Sequence, residues 1–149
     1  MIVEHGAYRE GDLPALGARI AAALRIGDVI GLSGDLGAGK TSLARAILGA
    51  LGLAGEAPSP SFAIVQPYDS PEVTLPIWHV DLYRLDNPAE VAELGLDDAR
   101  DDYAIIIEWP ERLAMRWPDI LMLRIDGDGD ARRLTATVPP AWEGRWLVQ

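Results

Sequence analysis

The sequence predicts an α/β fold built on a sheet with a buried parallel core. Two observations carry that prediction. "DVIGLSG" (28–34) is a short apolar, β-prone run. It is followed at once by a glycine-rich turn and then by "KTSLARAILGALG" (40–52), whose apolar residues recur at helical spacing. Strand, glycine loop and helix in succession open an α/β unit. "YAIIIEW" (103–109) is apolar along its length, the pattern of a strand covered on both faces. At 149 residues the chain has the length of one domain, 1–149, and can bury a core without a metal or disulfide staple.

The other elements follow in order. Asp12 is placed to cap a helix carrying Leu13, Leu16, Ile20, Ala23 and Leu24 on one face, ended by Gly27. In 40–52 the inward positions are Leu43, Ala46, Ile47 and Ala50, with Gly52 as the stop. "LAGEAPSPSF" (53–62) is rich in turn formers and reads as a long loop. "AIVQPY" and "TLPIWHVDLY" read as strands. "NPAEVAELGLDDARDD" (87–102) reads as a helical stretch capped by Asn87 with Pro88 at its first position. "PERLAMRW" reads as a short helix, and "ILMLRID" with "RRLTATV" as a hairpin around "GDGD". The tail holds Trp142 and Trp146 without a clear period. No repeat or low-complexity segment is present.

Composition narrows the function classes. There is no cysteine, which excludes a disulfide framework and a thiolate zinc site and fits a reducing compartment. The first residues lack the basic start and apolar run of a signal peptide, and no stretch is long and apolar enough to span a bilayer. The expectation is a cytoplasmic protein with no membrane association. The formal net charge of −10 disfavours direct nucleic-acid binding, because phosphate contacts supply most of that affinity.

Of the thirteen basic residues, one is a lysine. It stands in "GDLGAGKTSL" (34–43), where Gly34, Gly39, Lys40 and Thr41 satisfy G-x-x-x-x-G-K-[ST]. Glycines let the backbone amides of Asp35, Leu36, Gly37, Ala38, Gly39, Lys40, Thr41 and Ser42 close on phosphate oxygens. The helix N-terminus adds partial positive charge. Lys40 can reach the β- and γ-phosphates as a compact charge, and the Thr41 hydroxyl can ligate Mg²⁺. Lys40 is expected to face the surface, so that its removal costs no core contact. A nucleoside triphosphate with Mg²⁺ is the ligand the motif implies.

A P-loop needs a further acid for metal or water. Asp81 in "IWHVDLYR" and Glu108 in "AIIIEWPE" both follow apolar runs, so both are placed at the carboxyl edge of the sheet, where open α/β folds bind ligands. His79 alternates with Asp81 and shares its face. A packed histidine is the commoner role for such a residue. Arg84 is either a phosphate contact or an ion-pair partner of a nearby acid. Trp109 lines a surface or belongs to the core.

Taken together, "GDLGAGKTSL", "SPSF" (59–62), "HVDLYRL" (79–85) and "EWPE" (108–111) resemble the TsaE (YjeE) family in order and spacing over nearly the whole chain. That family is the small P-loop ATPase of bacterial tRNA threonylcarbamoyladenosine synthesis. The resemblance implies a three-layer P-loop NTPase fold with a parallel core sheet extended by antiparallel strands. It implies weak ATP hydrolysis that depends on TsaD and TsaB, the transferase and its scaffold, with tRNA met only indirectly through the complex. By motif position it implies that Thr41 and Glu108 bind Mg²⁺ and that Asp81 serves hydrolysis. Ser59, Pro60, Ser61 and Phe62 would form a switch loop near the γ-phosphate. Arg132 and Glu10 would lie near the nucleotide. Ser61 departs from the usual "SPTF": the hydroxyl is kept and the methyl lost. Two other readings compete. A P-loop kinase would need an acceptor pocket under an arginine-rich lid, which the sequence does not show. A nucleotide-dependent binding module would not need the two strand-end acids. A GTPase signature Asn-Lys-x-Asp is ruled out, since the one lysine is Lys40.

Overall fold

In the computed structural model, described here for residues 2–54, 65–85, 87–113, 117–127 and 131–146, one seven-stranded sheet organises the chain. The strands are β1 (Ile2–Arg9), β2 (Val29–Ser33), β3 (Val65–Tyr68), β4 (Ile77–Asp81), β5 (Ala104–Glu108), β6 (Leu121–Asp126) and β7 (Ala131–Thr137). Their spatial order is β1-β7-β6-β2-β5-β4-β3. The centre, β6-β2-β5-β4, is parallel, while β3 pairs antiparallel on one edge and β7 and β1 on the other. The predicted parallel core with antiparallel extensions is thus present.

Helices cover both faces. On one side lie α1 (Leu13–Ala23) and α2 (Lys40–Ala50), packed with Ile30, Leu32, Ala104, Ile106 and the fully buried Trp142. On the other lie the short α3 (Pro88–Ala92) and α4 (Leu96–Ala99), packed with Val29, Val80, Ile105 and Ile107. Ala104 and Ile106 therefore enter one core and Ile105 and Ile107 the other, which is why that stretch is apolar, while Glu108 ends the strand as a buried acid. α1 and α2 cross closely at Gly17, where a Cβ would lie 2.6 Å from the Ala46 carbonyl carbon.

Several expectations are corrected. The helix over 87–102 is broken in two at Gly95, whose left-handed φ of +73° turns the chain between α3 and α4. Its start stands as read: the Asn87 side chain accepts from the Ala89 amide at 2.9 Å. Asp12 stands at the N-cap position of α1, as read, but its side chain makes no cap bond to that helix. Its carboxylate accepts from the Arg9 amide at 2.8 Å and closes the 3₁₀ turn Glu10–Asp12 instead. Ala50 is exposed, and α2 buries Leu43, Ala44, Ile47 and Leu48. "PERLAMRW" begins as a 3₁₀ turn, Pro110–Arg112, and residues 114–116 lie outside the described set. The N-terminal strand β1 was not read from the sequence at all. Its alternation is interrupted by the register shift between Glu4 and Gly6, so the period-2 signal is lost. Among the described residues, no helix is long and apolar enough to cross a membrane.

Candidate nucleotide site at the carboxyl edge of the sheet

The turn between β2 and α2 is shaped by glycine at two points. At Gly34, φ is +146° and a Cβ would lie 2.5 Å from the Ile125 carbonyl oxygen, so only glycine fits against β6. Gly39, at φ +106°, turns the chain into α2. The first amides of α2 have no partner within the helix and open toward the loop, as at any helix start. Leu36, at the tip, is 73 % exposed.

Lys40 is not on the surface. It is 5 % exposed, and its Nζ donates to the carbonyls of Gly34 at 2.7 Å and Asp35 at 2.9 Å, inside the loop it serves. The Trp109 ring lies over the ammonium, 4.2 Å from Nζ to centroid. The expectation of a surface-facing lysine is overturned because the loop wraps around the side chain rather than presenting it. Burial lowers the Lys40 pKa, while Glu108, Glu111, Asp81 and Asp35 act the other way and favour the charged form.

Both predicted acids arrive at this point. β4 and β5 run parallel in register, with Asp81 beside Glu108. Glu108 is 2 % exposed and accepts from the Thr41 hydroxyl at 2.8 Å through Oε1. Its Oε2 lies 2.7 Å from His79 Nε2, so His79 shares the acids' face, as its alternation with Asp81 requires. Asp81 is partly exposed, and its Oδ1 accepts from the Tyr83 amide at 2.9 Å. Burial raises the Asp81 pKa, the Tyr83 bond opposes this, and the neighbouring Glu108 adds to the rise. Among the described residues no three His, Asp or Glu side chains gather into a metal site by themselves. Thr41 with Glu108 offers two hard oxygens, which suits an ion that keeps several waters or takes phosphate oxygens.

Glu10 and Arg132 meet on the other side of the loop. They line a cavity of about 440 Å³ together with Tyr8, Arg9, Gly11, Leu13, Gly39 and Ser42. The pairing of β1 with β7 sets Tyr8 opposite Arg132, and Arg132 Nη1 donates to the Gly127 carbonyl at 2.7 Å. Tyr8 and Arg9 were missed, because the strand that carries them was missed. Tyr83 was also missed. Its ring packs on Trp109 at 5.0 Å between centroids, and no spacing in the sequence signals that contact. Arg84 is exposed, just beyond the end of β4. The predicted switch residues Ser59–Phe62 lie outside the described residues.

A strand, a glycine loop around a buried lysine, a helix, and acids at two neighbouring parallel strand ends define the P-loop NTPase fold. Comparison with known proteins narrows this to a family. Residues 8–135 match the family described as threonylcarbamoyl adenosine biosynthesis protein TsaE. Two proteins called tRNA threonylcarbamoyladenosine biosynthesis protein TsaE are similar. The one from Streptomyces coelicolor is 42 % identical, over 82 % of this chain and 87 % of its own length. The one from Rickettsia conorii is 33 % identical, over 90 % of this chain and 77 % of its own. The crystal structure of YdiB from Bacillus subtilis superposes with a TM-score of 0.72 at 28 % identity, covering 97 % of this chain and 93 % of that one. The chain belongs to the TsaE family.

Proposed function

We propose that this chain is the ATP-binding and ATP-hydrolysing subunit of a tRNA threonylcarbamoyladenosine-forming system, working in the cytoplasm with TsaD- and TsaB-type proteins and meeting tRNA only through them. The observation that carries the reading is the Thr41–Glu108 hydrogen bond at 2.8 Å, set beside the lysine-bearing loop. Thr41 and Glu108 would hold Mg²⁺, and the ion would neutralise charge on the β- and γ-phosphate oxygens. Lys40 would exchange its bonds to the Gly34 and Asp35 carbonyls for phosphate oxygens. Asp81, whose carboxyl is biased toward protonation by burial, would orient and deprotonate water at the γ-phosphate. Glu10, Arg132 and the cavity between them would receive the rest of the nucleotide. The net charge of −10 supports contact with tRNA through other subunits, since an acidic surface repels a phosphate backbone.

Phosphate release is the test, measured with the chain alone, with small-molecule acceptors, and with TsaD plus TsaB. The reading expects slow release alone, no phosphorylated acceptor, and stimulation by the protein pair. Transfer to an acceptor would make the protein a kinase, and binding without release under all conditions would make it a nucleotide-dependent binding module. Lys40→Ala is expected to lower ATP affinity by about 1.5–3 kcal/mol, the scale of a hydrogen bond to a charged group. Wild-type affinity in a calorimetric titration of that variant would overturn the P-loop assignment.

A further inference from the structure

We propose that His79 is a positioning residue that holds Glu108 in the orientation needed to complete a cation site with Thr41; the proposal rests on the nucleotide-binding reading above. His79 is fully buried in the middle strand segment of β4, with Ile106 beside it on β5 and Ile77 two residues back on the same face. An aliphatic side chain would suit such surroundings. The imidazole instead leaves Nδ1 buried with no hydrogen-bond partner among the described residues. A buried polar atom left unpaired calls for a physical reason. The reason available here is the single bond made by the other nitrogen, at 2.7 Å to Glu108 Oε2.

That bond settles an ambiguity in the carboxylate. A glutamate's terminal torsion is broad and places its two oxygens loosely. With Glu108 ionised, His79 must carry its proton on Nε2 and donate it to Oε2, which turns Oε1 toward Thr41. A cation bound at Thr41 would take the lone pairs of that hydroxyl and of Oε1, and the Thr41–Glu108 hydrogen bond would give way. The His79 bond lies on the far oxygen and has no need to change. His79 is thus the fixed side of the carboxylate, in the manner of the outer partners that orient metal-ligating groups. Asp81, next to Glu108 in register, has no such side-chain anchor among the described residues. Its bond is to the Tyr83 amide.

The full chain is titrated with a slowly hydrolysed ATP analogue by calorimetry, once with EDTA and once with Mg²⁺, for the wild type, His79→Leu and His79→Gln. Glutamine keeps an N–H where Nε2 stands, and leucine does not. In the wild type Mg²⁺ strengthens binding. His79→Leu is expected to lose at least fivefold of that increment and to keep its affinity in EDTA within twofold. His79→Gln is expected to retain the increment. An unchanged increment in His79→Leu overturns the proposal. So does a parallel loss with and without Mg²⁺, which marks a role in folding alone, or a glutamine variant that behaves like leucine. No analogue binding by the wild type would instead overturn the function proposed above. Should the leucine variant fail to fold, the wild type decides. The chain has two histidines, so ¹⁵N NMR resolves His79 once His5→Gln identifies the other. The expected signature without nucleotide is the Nε2–H tautomer, changed in Glu108→Ala. The Nδ1–H tautomer would refute the assignment.

Discussion

The carboxyl ends of β4 and β5 lie side by side, each ending in an acid on the same face, yet the two acids are held in different ways. Glu108, ending β5, is buried, and both of its oxygens are engaged by side chains from other elements, Thr41 of α2 and His79 of β4. Asp81, ending β4, is partly exposed and bonded to the backbone two residues on. The difference follows from position. β5 sits between β2 and β4 under the start of α2, so its end is enclosed by the loop. β4 has only the edge strand β3 beyond it, and Asp81 at its end is partly exposed. One acid is built into the framework, and the other is kept available with a carboxyl biased toward protonation. Such a division suits a metal-holding group next to a proton-handling group.

Substitution should separate the two. Glu108→Ala would leave the buried His79 N–H and the Thr41 hydroxyl without their acceptor, so it is expected to cost about 2–3 kcal/mol of stability. For a chain of this length that lowers the melting temperature by roughly 4–12 °C. A melting temperature at the wild-type value would mean that Glu108 is no more structural than Asp81.

Asp81→Asn is expected to act in the opposite direction on stability while slowing phosphate release about a hundredfold or more. Asparagine keeps the oxygen that accepts from Tyr83 and removes the charge that burial and Glu108 disfavour. A carboxyl whose pKa is raised by folding favours the folded state most below its ordinary value, near 3.9. That contribution is lost as pH rises through the folded value. The stabilising effect of the variant should therefore appear at neutral pH and vanish in acid, where both forms are neutral. Melting curves from pH 3 to 7 read this directly, and a variant less stable than wild type at pH 7 would contradict it.

The smallest effect concerns Trp109, which follows Glu108 and roofs Lys40. It has a left-handed φ of +62°, an uncommon conformation for a non-glycine residue. Trp109→Leu removes the packing on Tyr83 and the cation–π contact with the buried Lys40, worth about 1–2 kcal/mol for a desolvated cation. A loss of that size in unfolding free energy, read as a lower urea midpoint at unchanged slope, is expected. A midpoint unmoved would show that the two carbonyls alone hold the lysine.

Much of this architecture was legible in the chain. The apolar run Ala104–Glu108, the glycine–lysine motif and the helix after it identified a parallel α/β core and put Lys40, Thr41, Asp81 and Glu108 at one sheet edge, because strand burial and glycine turns are local and periodic. Tertiary structure decided the rest. That Lys40 is buried depends on the loop curling over it and on Trp109 arriving from β5. That His79 touches Glu108 depends on the register of two strands whose partners are 29 residues apart in the chain. That Tyr8 and Arg9 join Glu10 and Arg132 depends on β1 pairing with β7 at the far end of the sequence. Composition and periodicity report which face of an element is apolar. They carry no record of which distant element will cover it, since that choice is made by packing across the whole sheet.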